Sequence, residues 1–172
     1  MEPFWTDQYG NPSSLHQAGR VIARELKQAR REIASFLGVL DESEIIFTSG
    51  GTESNNAAFR SALWTARPKR KLVTTSVEHS SILKLAKALQ EEGAQAETVS
   101  VSEEGDLNLG RLKSALGPDT ALVSVMMANN ETGVLFPVAE IAQWVRDANI
   151  LFHVDAVQAV GKIPISLKDP PI

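Results

Sequence analysis

Short apolar runs take turns with helix-period stretches along most of this chain, and that alternation limits its fold more than any other feature. Residues 71–76 (KLVTTS), 96–101 (AETVSV), 120–128 (TALVSVMMA) and 150–156 (ILFHVDA) read as strands. Residues 80–93, 107–116 and 137–149 read as the helices between them, with Gly93 closing the first and Pro137 in the first turn of the last. The runs at 120–128 and 150–156 are apolar enough for strands covered on both faces. Strands joined through helices predict an α/β fold with a mostly parallel sheet. In such sheets ligands gather beyond the carboxyl ends of the strands.

Upstream, Leu15, Ala18, Ile22, Leu26, Ala29, Ile33 and Phe36 step by three or four residues and form one helical stripe. Ser13 or Ser14 is placed to cap its start and Gly38 its end. Residues 44–49 (EIIFTS) read as a strand that runs into the corner Gly50-Gly51. A further helix is predicted from Thr52 or Glu53, carrying Ala57, Phe59, Leu63 and Trp64. The corner has two readings at this level. It is a strand-to-helix turn, or it is an anion cup in which free backbone N–H groups meet the positive end of a helix. It is neither a Walker loop, lacking Gly-Lys-Ser/Thr, nor a dinucleotide fingerprint, lacking the third glycine.

Length and composition narrow the function. The 172 residues suffice for one domain with a sizeable core, and 43% apolar content suits a globular protein. A net charge of −4 argues against nucleic-acid binding, and the basic run at 67–71 (RPKRK) reads as a solvated turn. No stretch approaches the ~20 apolar residues of a membrane span, and no basic-then-apolar leader opens the chain, so no membrane association and a cytoplasmic location are expected. With no cysteine and three histidines lacking ligand spacing, neither a disulfide nor a metal site is expected.

The strand ends carry the chemistry. Ser49, Gly50, Gly51 and Thr52 follow the first predicted strand, and Glu78, His79, Ser80 and Ser81 follow the second. Asn129, Asn130 and Glu131 come after the run at 120–128, and Asp155 and Gln158 after the last strand. Singly, each has a structural explanation as a turn, a cap or a packing residue. Together they suit one ligand, a phosphorylated pyridine ring, whose nitrogen a buried carboxylate would pair with.

Five segments in order, GNPSSLHQAGR, TSGGTESNN, VEHSSI, MMANNETGV and FHVDAVQAVGKIPI, resemble those of the cysteine desulfurases. These are fold-type I pyridoxal 5'-phosphate enzymes of the class V aminotransferase family, and the form of the glycine corner is similar to the nitrogen-fixation and iron–sulfur-cluster branch. The resemblance implies a three-layer α/β/α large domain over residues 1–172. It implies that Gly51 and Thr52 hold the cofactor phosphate and that His79 stacks on the ring and relays protons as a catalytic residue. Asp155 is then the partner of the ring nitrogen, Gln158 donates to the phenolic oxygen, and Asn130 rather than Asn129 lies near that oxygen and the substrate carboxylate. Asn11 falls in a loop near the active site.

By the same resemblance the substrate is L-cysteine, converted to L-alanine with its sulfur passed to an enzyme persulfide. The partners are a second subunit in a homodimer and a sulfur-acceptor or scaffold protein. The family's opening strand, the Schiff-base lysine in its Ser-x-His-Lys motif, the reactive cysteine and the C-terminal domain have no counterpart here, since Lys162 and Lys168 come too early for that lysine. The large domain is therefore expected to be incomplete, a fragment inactive alone. A related class V lyase or aminotransferase, and a non-catalytic truncated relic, stand as alternatives.

Overall fold

A computed structural model describes residues 2–168. The described residues form two compact units, 2–47 with 166–168, and 48–165.

In the first unit a short helix α1 (Pro3–Thr6) precedes the long α2 (Gln17–Leu37). The start of α2 differs from the sequence expectation: His16 is the cap, its Nδ1 accepting from Gly19 N at 3.3 Å, while neither Ser13 nor Ser14 caps it. Gly38 ends it as expected, with φ of 78°, a left-handed conformation that glycine adopts without a Cβ clash. The expected stripe is real in spacing but open in fact. Leu15 is 89% exposed and Phe36 64%, and within α2 the buried residues are Gly19 and Ala34.

The predicted strand at 44–49 is absent. Glu42–Glu44 instead form a 3-10 turn capped by Asp41, and Ile45 to Phe47 run on irregularly. Ile45 O accepts from Arg30 Nε at 3.2 Å, and the Arg30 guanidinium lies 5.0 Å over the Phe47 ring. A strand needs a ladder partner, and among the described residues none pairs with this segment.

The second unit realises the alternation. It runs α3 (Gly51–Thr65), β1 (Lys71–Thr75), α4 (Ser80–Glu91), β2 (Gln95–Val99), α5 (Leu109–Ala115), β3 (Thr120–Ser124), α6 (Val138–Asp147) and β4 (Leu151–His153). The strands form one sheet in the order β2-β1-β3-β4, and every pairing is parallel. Alternate side chains of one strand feed opposite cores. Leu72 and Leu122 join Phe59, Ile82, Leu85 and Leu89 on one face, whereas Val73 and Val123 join Leu112, Val138, Ile141 and Val145 on the other. Helices α3 and α4 thus cover one side and α5 and α6 the other, which gives the expected three layers.

One strand-level expectation changes, and two details of the helices. β3 is buried throughout, as its composition requires, but β4 is not, with Leu151 43% exposed. The reason is position: among the described residues β4 is an edge strand with a single neighbour. On α3, Phe59 is fully buried as expected, but Trp64 is 69% exposed and Ala57 faces out; the buried face is Asn55, Phe59 and Ala62. Pro137 sits just before α6 as its cap rather than within the first turn.

The basic turn at 67–71 is more than a solvated surface. Arg70 donates to the carbonyls of Glu92 and Gly93 beyond α4, Lys71 Nζ to Ala115 O at the end of α5, and Lys69 Nζ to Asn149 O beyond α6. Three cations thus meet carbonyls at the negative ends of three helices. Of the closing stretch, residues 169–172 lie outside the described residues.

Candidate active site

The strand order reverses between β1 and β3, where one crossover leads outward to β2 and the next returns past β1. The loops leaving the carboxyl ends of β1, β3 and β4 part at this point and leave a crevice. A cavity of about 230 Å³ lies there, lined by Gly51, Thr52, Asn55, His79, Ser81, Met126, Asn130, Asp155, Val157 and Gln158. Every cofactor-site residue expected from the sequence therefore lines one cavity. Asn11 belongs to the first unit, where its Oδ1 accepts from Ser13 N at 2.9 Å.

The N-terminus of α3 forms one wall. Its first internal bond is Ser54 N to Gly50 O, so the amides of Gly51, Thr52 and Glu53 stand before it as donors. A Cβ on Gly50 would meet nothing within 4 Å, and one on Gly51 only Val157 Cγ2 at 3.7 Å. The turn therefore presents bare backbone. Glu53 folds back to accept from Ser49 N at 2.7 Å and Ser49 Oγ at 2.6 Å, two bonds to one carboxylate oxygen that tie the turn to the first turn of α3. Those bonds, the hydroxyl's first, hold its carboxyl below the ordinary range.

His79 caps α4: its Nδ1 accepts from Ser81 N at 3.2 Å and lies 2.8 Å from Ser81 Oγ. Asp155 follows β4. Its Oδ1 accepts from Val157 N at 3.1 Å and its Oδ2 from Asn55 Nδ2 at 3.3 Å. Gln158 Oε1 accepts from Lys162 Nζ at 2.6 Å, which leaves its amide N–H group as the donor it has to offer. The two asparagines separate cleanly. Asn129 is buried, donating to Val77 O and accepting from Glu131 N, Thr132 N and Thr132 Oγ1, whereas Asn130 lines the cavity.

Behind His79, the buried Glu78 bridges two strands. Its Oε1 accepts from Met126 N at 2.8 Å and Thr75 Oγ1 at 3.0 Å, while the buried Oε2 has no hydrogen-bond partner among the described residues. Burial pushes its carboxyl up to about 7, against the pull of those two bonds and with some help from the charge of Asp155. His153, on β4, meets Ser124 Oγ through Nδ1 at 2.9 Å and packs edge-on against Phe59. Burial lowers its pKa, and nearby Asp155 opposes that shift.

A second cleft of about 510 Å³ shares His79 and Asn130 with the first, but Glu78, Glu103, Glu104 and Glu131 line it. The carboxylates of Glu103, Glu104 and Glu131 disfavour an anion there, whereas the smaller cavity offers the free amides of a helix N-terminus. Sequence reasoning did not single out Asn55. Its signal was available: a polar residue one turn after Gly51, at the spacing of Phe59 and Ala62 on the buried face of α3.

The family model for class-V aminotransferases matches residues 1–172. The chain belongs to that family. A cysteine desulfurase of Bradyrhizobium diazoefficiens is 50% identical over all of this chain and 44% of its own length. The cysteine desulfurase NifS of Azotobacter vinelandii is 51% identical, again over the whole chain and 43% of the relative. Among solved structures, a NifS-like protein superposes with a TM-score of 0.92 at 40% identity, covering 98% of this chain and 47% of that one. SspA in complex with cysteine gives a TM-score of 0.91 at 32% identity, covering 98% and 48%. The chain thus spans less than half the length of these relatives, and its fold is that of the pyridoxal-phosphate enzymes of fold type I.

Members of this family depend on pyridoxal phosphate, and the cavity suits that group. It offers bare backbone donors at a helix N-terminus, a flat imidazole, a carboxylate and three amide side chains around one space.

Proposed function

We propose that this chain forms the cofactor-holding part of a cysteine desulfurase, which converts L-cysteine to L-alanine and passes the sulfur to a protein thiol as a persulfide. The observation that carries the proposal is the meeting of the α3 terminus, His79, Asn130, Asp155 and Gln158 on one cavity of about 230 Å³. The desulfurase names of the 50%-identical relatives support it. A similar structure described as a complex with cysteine supports the substrate.

In this reading the amides of Gly51 and Thr52, with the Thr52 hydroxyl, hold the phosphate. His79 lies flat against the pyridine and holds or releases a proton at Nε2, the ring nitrogen not engaged by Ser81. Asp155 faces the ring nitrogen and keeps it protonated, Gln158 donates to the phenolic oxygen, and Asn130 serves that oxygen and the substrate carboxylate. The cofactor, when bound, supplies an electron sink for the bond-breaking step. The thiol that takes the sulfur comes from outside these residues, which include no cysteine, and the cofactor-bearing lysine is placed outside them as well. A homodimer in the cytoplasm, serving a scaffold or acceptor protein, completes the reading.

The test is to purify the protein in the form its cell makes, load it with pyridoxal phosphate, and assay L-cysteine for alanine and reducible sulfur in equal amounts. Stoichiometric products are expected. Cofactor binding without alanine formation from L-cysteine would overturn the desulfurase assignment.

A further inference from the structure

Asn55 is 4% exposed on the core-facing side of α3, where Phe59 and Ala62 continue the same face in carbon alone. A buried amide on such a face is costly unless its hydrogens are used. Both contacts of Asn55 Nδ2 are acceptors: Asp155 Oδ2 at 3.3 Å and Ser81 Oγ at 3.0 Å. An amide nitrogen has two hydrogens, so this geometry uses both.

The network continues to the other wall of the cavity. Ser81 N can only donate, so the His79 Nδ1 that receives it at 3.2 Å is unprotonated, and the neutral ring carries its hydrogen on Nε2. Ser81 Oγ, already accepting from Asn55, is left to donate its own hydrogen to the same Nδ1 at 2.8 Å. One side chain therefore joins a carboxylate that follows β4 to an imidazole that follows β1.

We infer that Asn55 is a positioning residue that fixes the Asp155 carboxylate and, through Ser81, the His79 ring, so that both present one geometry to the bound cofactor. The inference rests on the cofactor reading above and deepens it. Asn55 touches neither reacting atoms nor phosphate in this assignment and acts through its two partners.

Two measurements test it in the protein as the cell makes it. In cofactor-free protein, NMR of the Asn55 side-chain amide is expected to show two distinct hydrogen-bonded protons. Asp155→Ala should move one of them toward the free-amide position, and Ser81→Ala the other. If neither substitution moves either proton, the network is wrong whether or not the protein binds pyridoxal phosphate. In the second measurement, equilibrium dialysis of pyridoxal phosphate, Asn55→Leu is expected to weaken binding about tenfold and to have a clearly smaller effect in an Asp155→Ala background, where only the arm through Ser81 to His79 remains to be lost. Binding by Asn55→Leu within twofold of wild type, or the same tenfold loss without Asp155, would overturn the positioning role. Should Asn55→Leu fail to fold, Ser81→Ala replaces it. That variant severs only the arm to His79, and an unchanged affinity in it would overturn the proposal. Wild-type protein that binds no pyridoxal phosphate sinks the cofactor reading alone, and the amide spectra still decide the network.

Discussion

The backbone amide of Met126 donates to Glu78 Oε1 across 2.8 Å, so a carboxyl from the loop after β1 takes the place of a ladder partner for the chain leaving β3. This bond ties the chain leaving β3 to the loop after β1 beside the cavity that Met126 lines. Its acceptor is a buried acid whose pKa is raised by burial to about 7.

That acid predicts a pH dependence of stability. Between about 4.5 and 7 the unfolded chain has released the Glu78 proton and the folded chain retains it. Folding then takes up a proton, so this group's contribution is fully present below about 4.5 and is lost as pH rises toward 7, by up to about 3 kcal/mol. His153 works in the opposite sense, since burial lowers its pKa and its contribution falls as pH drops below 6.5. Comparing Glu78→Gln with wild type isolates the first effect. Urea unfolding should show the variant gaining relative stability as pH climbs from 5 to 8, and a constant difference would refute the assignment.

Asn129 and Asn130 are neighbours with different duties. Asn129→Ala removes the acceptor for Glu131 N, Thr132 N and Thr132 Oγ1, and should cost roughly 2 kcal/mol in denaturant unfolding. Asn130→Ala should stay within about 0.5 kcal/mol of wild-type stability while weakening turnover of L-cysteine. Equal stability losses in the two variants would show that the pair has been divided wrongly.

On the proposed reading, in which Asp155 faces the pyridine nitrogen, Asp155→Ala in the cofactor-loaded protein should lower turnover by at least ~100-fold. Activity near wild type would remove Asp155 from that role.

Gly19→Ala probes the first unit. A Cβ there would run into Ser14 O and lie 2.6 Å from Asn11 O, both backbone atoms that have little room to yield. A loss of about 1–3 kcal/mol is expected, read as a lowered melting temperature. A melting temperature equal to wild type would mean that the 11–14 loop is not held against α2.

The sequence by itself determined the alternation of the second unit, the parallel sense of its sheet and the set of polar residues at the strand ends. Those features are written in local apolar periodicity and in glycine, which act over a few residues. It also carried the family, because five short segments keep their order and spacing. Tertiary structure decided which of these features became real. The apolar segment at 44–49 matches a strand but has no ladder partner among the described residues, and β4 is as apolar as a covered strand but lies at an edge. His16 rather than a serine caps α2 because only its Nδ1 reaches the Gly19 amide. Asn55, separated from Asp155 by a hundred positions, is joined to it only when α3 packs on the sheet. Hydrogen bonds and ladders between distant residues depend on where the layers place them, and local pattern holds no record of that placement.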